Sequence, residues 1–283
     1  MVPVAEVAIV APRQARKQPR STRSGAARKV LPAIGPGVSV LYLSLLVGLP
    51  VAALISTSAH SSAWSLVIHD AHTRSVLEFS FFIALAIALL NAVTGVALAW
   101  VLVRDEFPGK RIVNSLIDLP FALPTIVAGL VLLTLYGPGS PIGVNVAATR
   151  VGVLFALLFV TLPFVTRAVQ PVLLSLESDV EDAAACLGAK PWTIFRRIIL
   201  PAILPATLTG ASLAFARALG EYGSVVLIGG NIPHTEIGSQ VIANLVENGA
   251  PQAAAAVGLT LILMALAVLL VLGLVTRRWS RHG

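Results

Sequence analysis

The sequence predicts an all-α integral membrane protein with six membrane-spanning helices. Three observations support this prediction: the composition, the number of long apolar segments and the placement of the basic residues. Of the 283 residues, 57% are hydrophobic and only 12% are charged, whereas soluble domains carry about 25% charged residues. The single cysteine excludes a disulfide within the chain.

Six apolar segments are each long enough to cross a bilayer, which requires about 20 helical residues. They cover residues 38–58, 79–103, 112–136, 151–174, 202–229 and 253–276. Together they predict one transmembrane domain over residues 38–278. Residues 1–37 precede it as a basic cytoplasmic tail. The tail is rich in Pro, Arg and Ser and lacks apolar periodicity, so we expect it to be disordered.

The distribution of basic residues predicts that both termini lie in the cytoplasm. Seven of the twenty Lys and Arg residues fall within the first 29 positions, and further clusters follow segments two, four and six. Loops 137–149 and 230–252 contain none, and loop 59–78 contains only Arg74. Lys and Arg accumulate in the cytoplasmic loops of membrane proteins. The net charge of +7 is therefore a topology signal, and we expect no nucleic-acid partner.

Segment three contains two prolines, Pro120 and Pro124. Each removes a backbone N–H donor and kinks a helix. In a membrane such breaks persist where the helix lines a cavity or is braced by its neighbours. A purely structural kink and a role in gating both remain open for these two residues.

The segment 177–201 is long for a connection within a helical bundle, where 2–8 residues are typical. Its acidic residues, starting at Asp179, favour the start of a helix. Gly188 can end that helix in a left-handed conformation, and Pro191 suits the first turn of a second helix. We therefore predict a helix, a turn and a second helix on the cytoplasmic side.

Charged residues within the apolar segments are candidate functional residues, since each costs about 2.5–3.5 kcal/mol at the centre of a membrane helix. Arg217 and Glu221 are four positions apart, so their side chains can pair on one helix face. Because charges within membrane spans are functional by default, one interpretation is a functional pair. The alternative is a structural pair at a subunit interface. Arg167 is the weaker candidate, as an arginine that snorkels to the headgroups.

Several kinds of active site are missing from the sequence. The only Gly-Lys dipeptide is Gly109-Lys110, which lacks the pattern of a phosphate-binding loop. His60, His69 and His72 lie in one loop, but no thiol accompanies them, so a metal site is not expected. No Ser/His/Asp set lies within the apolar segments. We expect neither a cofactor nor a catalytic activity in this chain.

The segment 177–201 resembles a signature of binding-protein-dependent ABC importer permeases. That signature reads Glu-Ala-Ala, three residues, Gly, nine residues, then Ile-x-Leu-Pro, and this chain has Asp182-Ala183-Ala184, Gly188 and Ile198-Ile199-Leu200-Pro201 at the same spacing. It departs in having Asp182 for the usual glutamate, with Glu181 just before it. In the family this element is the coupling helix that docks on an ATPase subunit. The resemblance implies a type I permease fold and assigns to coupling Glu181, Asp182, Ala183, Ala184, Gly188, Ala189, Ile198, Leu200 and Pro201.

Two further stretches narrow the resemblance. DLPFALPTIVAGL at 118–130 and FARALGEYGSVVLIGGNIPHTE at 215–236 are similar to permeases for sulfate, thiosulfate and molybdate, and the second is closest to the sulfate/thiosulfate branch. The resemblance covers about residues 38–278. It implies import of sulfate or thiosulfate across the bacterial inner membrane. The candidates for the path or its gating are Arg217, Glu221, Tyr222, Pro120 and Pro124.

The resemblance also implies partners. Six helices with one docking segment make half a pathway, so a second permease subunit, a paralogue, would complete it. Two ATPase subunits would bind ATP and Mg²⁺, and an extracytoplasmic sulfate-binding protein would deliver the anion. A molybdate or tungstate permease remains open, because those anions are also tetrahedral dianions. An ion-coupled secondary anion transporter or an intramembrane enzyme is more distant, since neither repeated halves with midplane carboxylates nor a catalytic cluster is visible.

Overall fold

The computed structural model describes residues 36–59 and 61–279. No strand occurs in this part of the chain, so the predicted all-α class is confirmed. The tail up to residue 35 lies outside it. The helices of the described part are α1 (Pro36–Ser58), α2 (Ser61–His69), α3 (Ala71–Arg104), α4 (Lys110–Ala122), α5 (Thr125–Tyr136), α6 (Arg150–Ser175), α7 (Ser178–Cys186), α8 (Pro191–Leu219), α9 (Gly223–Gly229), α10 (Gly238–Glu247) and α11 (Pro251–Trp279).

Five helices in the described residues are long and apolar enough to cross a membrane, namely α1, α3, α6, α8 and α11. The number rises to six if the bent pair α4 and α5 counts as one span, in agreement with the predicted number. The chain divides after Val51 into two compact units, Met1–Val51 and Ala52–Gly283. The second unit contains α2 to α11, including every candidate site residue.

Close contacts between small residues bring α3, α6 and α8 together in the core of this second unit. A Cβ built on Gly95 of α3 would lie 2.7 Å from Val165 Cβ of α6, and one built on Gly210 of α8 would lie 2.7 Å from Val165 Cα. Small residues at helix interfaces permit such approach in membranes, where packing drives association. Asn91 of α3 also donates to Thr161 Oγ1 of α6 at 2.7 Å. These contacts make α3, α6 and α8 one packed layer.

The third predicted segment, 112–136, is two helices rather than one. α4 and α5 meet at an angle of 118° across Leu123 and Pro124. Leu123 is extended (φ −88°, ψ 134°), because a following proline disfavours the helical conformation. Pro120 lies buried inside α4 without ending it. Of the two candidate prolines, only Pro124 therefore stands at the break.

The fifth predicted segment, 202–229, also differs from the structure. α8 ends at Leu219, and α9 follows as a separate short helix from Gly223. At its other end α8 extends back to Pro191 through a π-helical turn, Phe195–Ile199. The second helix of segment 177–201 is thus continuous with a membrane span.

The segments predicted as outer loops contain helices. α3 begins at Ala71, ahead of the predicted start at residue 79, and α10 occupies part of loop 230–252. The Asp70 carboxylate caps α3 by accepting the Thr73 backbone N–H at 2.7 Å, and this hydrogen bond lowers the pKa of Asp70. A polar N-cap signals a helix start more directly than hydropathy does.

Candidate functional site

Arg217 and Glu221 form the predicted ion pair, at the end of a helix rather than within it. Arg217 occupies the last turn of α8, and its Nη1 lies 2.5 Å from Glu221 Oε2. Glu221 falls after the helix end, in the break between α8 and α9. Its side chain is 1% exposed, whereas that of Arg217 is 32% exposed. The carboxylate is therefore enclosed by protein, whereas the arginine side chain is only partly buried.

Glu221 also caps α9. Its Oε1 accepts the Ser224 backbone N–H at 3.0 Å and the Ser224 hydroxyl at 2.9 Å. Ser239 donates to the Glu221 backbone carbonyl. A carboxylate at a helix N-terminus is stabilised by the free N–H groups and the positive end of the helix dipole. The glutamate thus joins α8, α9 and α10, and its negative charge is shared among several donors.

The two interrupted spans, α4 with α5 and α8 with α9, contact each other at glycines. A Cβ built on Gly129 of α5 would lie 2.8 Å from Ser224 Cα of α9, and one built on Gly223 would lie 2.9 Å from the Ile126 backbone nitrogen. Tyr222, 40% exposed, immediately precedes this contact. The structure therefore brings Pro124, Glu221 and Tyr222 to one region where both spans are interrupted.

Arg167 does not snorkel to the headgroups, contrary to the sequence interpretation. Its guanidinium binds both carboxylate oxygens of Asp118 at 2.6 Å. It also donates to Asn114 Oδ1 at 2.8 Å, to the Asn114 carbonyl at 2.7 Å and to Gln170 Oε1 at 2.5 Å. These five bonds use every N–H of an arginine. Arg167 is a saturated brace between α6 and α4.

The predicted turn after α7 is confirmed. Gly188 has φ +83°, and its N–H donates to the Ala185 carbonyl at 2.9 Å. The next N–H, of Ala189, donates to the Ala184 carbonyl at 3.0 Å. This pair of bonds is a Schellman motif, which closes a helix around a left-handed residue. It sets the angle between α7 and α8.

The exposed part of this segment is partly apolar. Asp182, Ala183 and Gly188 are exposed, while Leu187 is 89% and Trp192 68% exposed. The remaining members of the predicted coupling set are partly buried, namely Glu181, Ala184, Ala189, Ile198, Leu200 and Pro201. Exposed apolar side chains rimmed by polar ones mark interaction surfaces. Leu187 and Trp192 extend the predicted docking set.

Glu181 points inward. Arg104, the last residue of α3, donates to its Oε1, and the Glu181 side chain is 22% exposed. Arg104 was not predicted from the sequence, because 77 positions separate it from Glu181 and no local pattern connects the two residues.

At the opposite end of α3, His72 Nε2 lies 2.8 Å from Glu236 Oε2, and Asn244 donates to Glu236 Oε1 at 2.7 Å. These residues line a cavity of about 450 Å³ between the start of α3 and α10. Within the described residues no group of three His, Cys, Asp or Glu side chains could hold a metal, and His60 lies outside them. His72 is thus engaged in a polar contact between two elements.

The chain is similar to curated proteins over most of its length. It is 43% identical over 256 residues to a sulfate transport system permease protein CysT of Synechocystis, covering 87% of this chain and 89% of that protein. It is 44% identical to the CysT protein of Synechococcus elongatus, covering 86% and 91%. A probable cysT permease of Marchantia polymorpha is 44% identical, covering 69% and 71%.

Solved structures share the fold at low sequence identity. A bacterial alginate ABC transporter, in complex with an alginate-bound periplasmic protein, matches with a TM-score of 0.72 at 14% identity, covering 89% of this chain and 96% of that chain. The inward-facing MetNI methionine ABC transporter matches with a TM-score of 0.56 at 17% identity, covering 73% and 97%. The family model for the binding-protein-dependent transport system inner membrane component matches residues 91–281. The chain belongs to this family and is a membrane permease subunit of an ABC importer.

Proposed function

We propose that this subunit conducts sulfate or thiosulfate into the cytoplasm, across the inner membrane of a bacterium. The observation that carries the proposal is the 43% identity, over 87% of the chain, to a protein named as a sulfate transport permease. Identity at this level over most of both chains indicates a shared fold. We therefore extend the substrate named for this relative to the present chain.

The break between α8 and α9 supports an anion as the substrate. Among residues 36–59 and 61–279, Glu221 is the one acidic partner of Arg217, and it occupies a single end of the guanidinium. The remaining N–H groups keep donor capacity for the oxygens of a tetrahedral anion. The carboxylate lowers the positive potential, so a passing dianion is attracted without being held. Tyr222, Pro120 and Pro124 remain candidates for shaping or gating this passage.

The proposal includes partner subunits. A second permease, a paralogue, completes the pathway, and an extracytoplasmic sulfate-binding protein delivers the anion. Two ATPase subunits bind ATP and Mg²⁺ and dock on the surface formed by Asp182, Ala183, Leu187 and Trp192. Support comes from their exposure on one segment and from the predicted coupling role of that segment. This chain then binds no nucleotide itself.

Transport in proteoliposomes tests the substrate. The complete complex should take up labelled sulfate only when two conditions are met. ATP must be present on the side of the membrane that carries the ATPase subunits, and the binding protein must be present on the opposite side. Excess thiosulfate should compete with sulfate, and excess molybdate should not. Full competition by molybdate together with molybdate uptake would reassign the anion, and uptake driven by an ion gradient without ATP would contradict the ABC mechanism.

The coupling turn provides a second test. Gly188→Val forces a β-branched residue to φ +83°, a conformation that costs L-residues about 1–2 kcal/mol. We expect normal insertion and loss of ATP-driven uptake, because the docking helix is displaced. Gly109→Val is the matched control, since Gly109 has φ +87° and a Cβ at either glycine meets nothing within 4 Å. Equal uptake by the two variants would contradict the role of the turn.

A further inference from the structure

We propose that Arg104 and Trp100, at the end of α3, are positioning residues for coupling, which seat the docking helix α7 and transmit its motion into the span bundle. The inference rests on the proposed docking role of α7. It assigns a task to two residues that no sequence motif includes, and it moves Glu181 from the docking surface to an internal anchor.

The first contact of this seat is a charge pair. Arg104 donates to Glu181, with side-chain exposures of 24% and 22%. Its Cζ also lies 5.6 Å from the centroid of the Trp100 ring, over the aromatic face. Charge-assisted hydrogen bonds and cation–π contacts are both stronger when partly desolvated. α7 is thereby tied to α3 through a single arginine that is itself held by a tryptophan.

The second contact is aromatic and lies on the other side of the Gly188 turn. Phe195 of α8 meets Trp100 edge-on, with 5.8 Å between ring centroids, and stacks on Trp192 at 5.5 Å. Phe195 is also the first residue of the π-helical turn in α8. Such turns concentrate at functional sites, where a helix must deform locally. α3 therefore touches the segment both before and after its turn.

A nitrogen without a hydrogen-bond partner indicates that the contacts of Arg104 with Glu181 and Trp100 are not optimised for stability alone. Within the described residues, Arg104 Nε is a buried nitrogen without a hydrogen-bond partner. A buried donor left unpaired is unfavourable, and an apolar residue at position 104 would avoid the loss. An arginine at this position thus fits a residue that holds Glu181 in a fixed direction better than one that only stabilises the fold.

The geometry of α3 explains what the seat can transmit. This helix has 34 residues and spans about 50 Å at 1.5 Å per residue. Its far end carries His72, bonded to Glu236 at 2.8 Å. If docking displaces α7, α3 would move with it as a rigid helix. The other end of α3 contacts the segment that precedes α10. One helix thus connects the docking segment with the opposite end of the bundle.

A purely structural role makes a different prediction. Arg104 lies in the last turn of α3, where a cation also stabilises the helix through its dipole. If that were its whole role, Arg104→Gln would lower stability slightly and leave the sulfate transported per ATP unchanged. If Arg104 positions α7, the ratio should fall while ATP hydrolysis continues.

Coupling is measured in the complete complex as labelled sulfate imported per ATP hydrolysed. We expect Arg104→Gln and Glu181→Gln each to lower this ratio by at least about fivefold, with the ATPase subunits still copurifying. Arg104→Lys should restore part of the ratio because it keeps the charge. Arg111→Gln, which removes an exposed arginine at the start of α4, is the control and should match the wild type.

A local probe separates this inference from the proposed function. Cys186 is the only cysteine and is exposed on α7, so a nitroxide label there reports the mobility of α7 in the full chain in nanodiscs. We expect Arg104→Gln to increase its mobility and Arg111→Gln to leave it unchanged. Unchanged mobility with an unchanged transport ratio, or loss of the ATPase subunits from the complex, would overturn the inference. A wild-type complex that transports no sulfate, with the mobility change present, would contradict the substrate alone.

Discussion

Two arginines within the apolar spans, Arg167 and Arg217, have opposite surroundings. Arg167 is 27% exposed and Arg217 is 32% exposed, so exposure does not separate them. The two arginines differ in how many of their N–H donors are used. Arg167 makes five hydrogen bonds, to Asp118, Asn114 and Gln170. Arg217 contacts one oxygen of Glu221. A saturated guanidinium fixes helices, and an unsaturated one can still bind. Of these two arginines, only Arg217 therefore keeps N–H groups that make none of these contacts.

The largest expected effect follows from removing the available charge. The double variant Arg217→Met/Glu221→Gln removes both charges yet keeps an oxygen at position 221 to accept from Ser224. We expect normal assembly and a fall in sulfate uptake of about a hundredfold. Uptake in proteoliposomes and copurification of the partners measure the two properties. Wild-type uptake by this variant would show that the pair is a structural strut.

The single variants provide the control for that experiment. Arg217→Met leaves the Glu221 carboxylate, 1% exposed, without its counter-charge. Such stranding costs about 3 kcal/mol or more. We expect Arg217→Met to be less stable than the double variant in thermal denaturation, because only the single change leaves a buried charge.

The second prediction concerns the saturated arginine. Arg167→Met removes five hydrogen bonds and separates α4 from α6 at that point. Because Asp118 is 49% exposed, its freed carboxylate is partly hydrated, and we expect a loss of about 2 kcal/mol. Arg167→Lys should not restore stability, since an ammonium cannot form the two-pronged contact. Thermal denaturation of the purified subunit measures both, and full stability of Arg167→Met would contradict the bracing role.

The sequence predicted the partner of Arg217 but not the partners of Arg167, for physical reasons. Arg217 and Glu221 are four positions apart, so local spacing alone indicates the pair. Asp118 and Arg167 are 49 positions apart, and only the packing of α4 on α6 brings them together. The helix breaks differ in a similar way. Pro124 marks the first break, whereas no proline marks the end of α8, and only Gly220 and Gly223 flank Glu221 there.

The segment 177–201 was predictable for the opposite reason. Its acidic start, Gly188 and Pro191 act through local backbone geometry, which a sequence displays directly. The direction of Glu181 was not predictable, because it depends on Arg104, on a helix that ends more than seventy positions earlier. In this segment the local elements were therefore predicted, whereas the contact between distant elements was not.

The third prediction tests whether the break near Arg217 depends on the contact between α5 and α9. Gly129→Ala places a methyl group 2.8 Å from Ser224 Cα, and overpacking of this kind costs about 1–3 kcal/mol. We expect lower stability and reduced uptake, since α9 is pushed away from α5. Gly273→Ala on α11 is the matched control, because a Cβ there meets nothing within 4 Å. Equal behaviour of the two variants would show that α5 and α9 separate freely.

The smallest expected effect comes from a variant that leaves Arg167 with one unpaired donor, as Arg217 has. Gln170→Leu removes one acceptor from Nη1, which keeps its bond to Asn114 Oδ1 at 2.8 Å. The loss of one such bond costs about 1 kcal/mol, and Asp118 still accepts from Nε and Nη2 of the guanidinium. We expect a small decrease in thermal stability and no change in the sulfate concentration for half-maximal uptake. A shift in that concentration would mean that the anion reaches Arg167 once a donor is released, and that donor saturation, rather than position, keeps it out of the path.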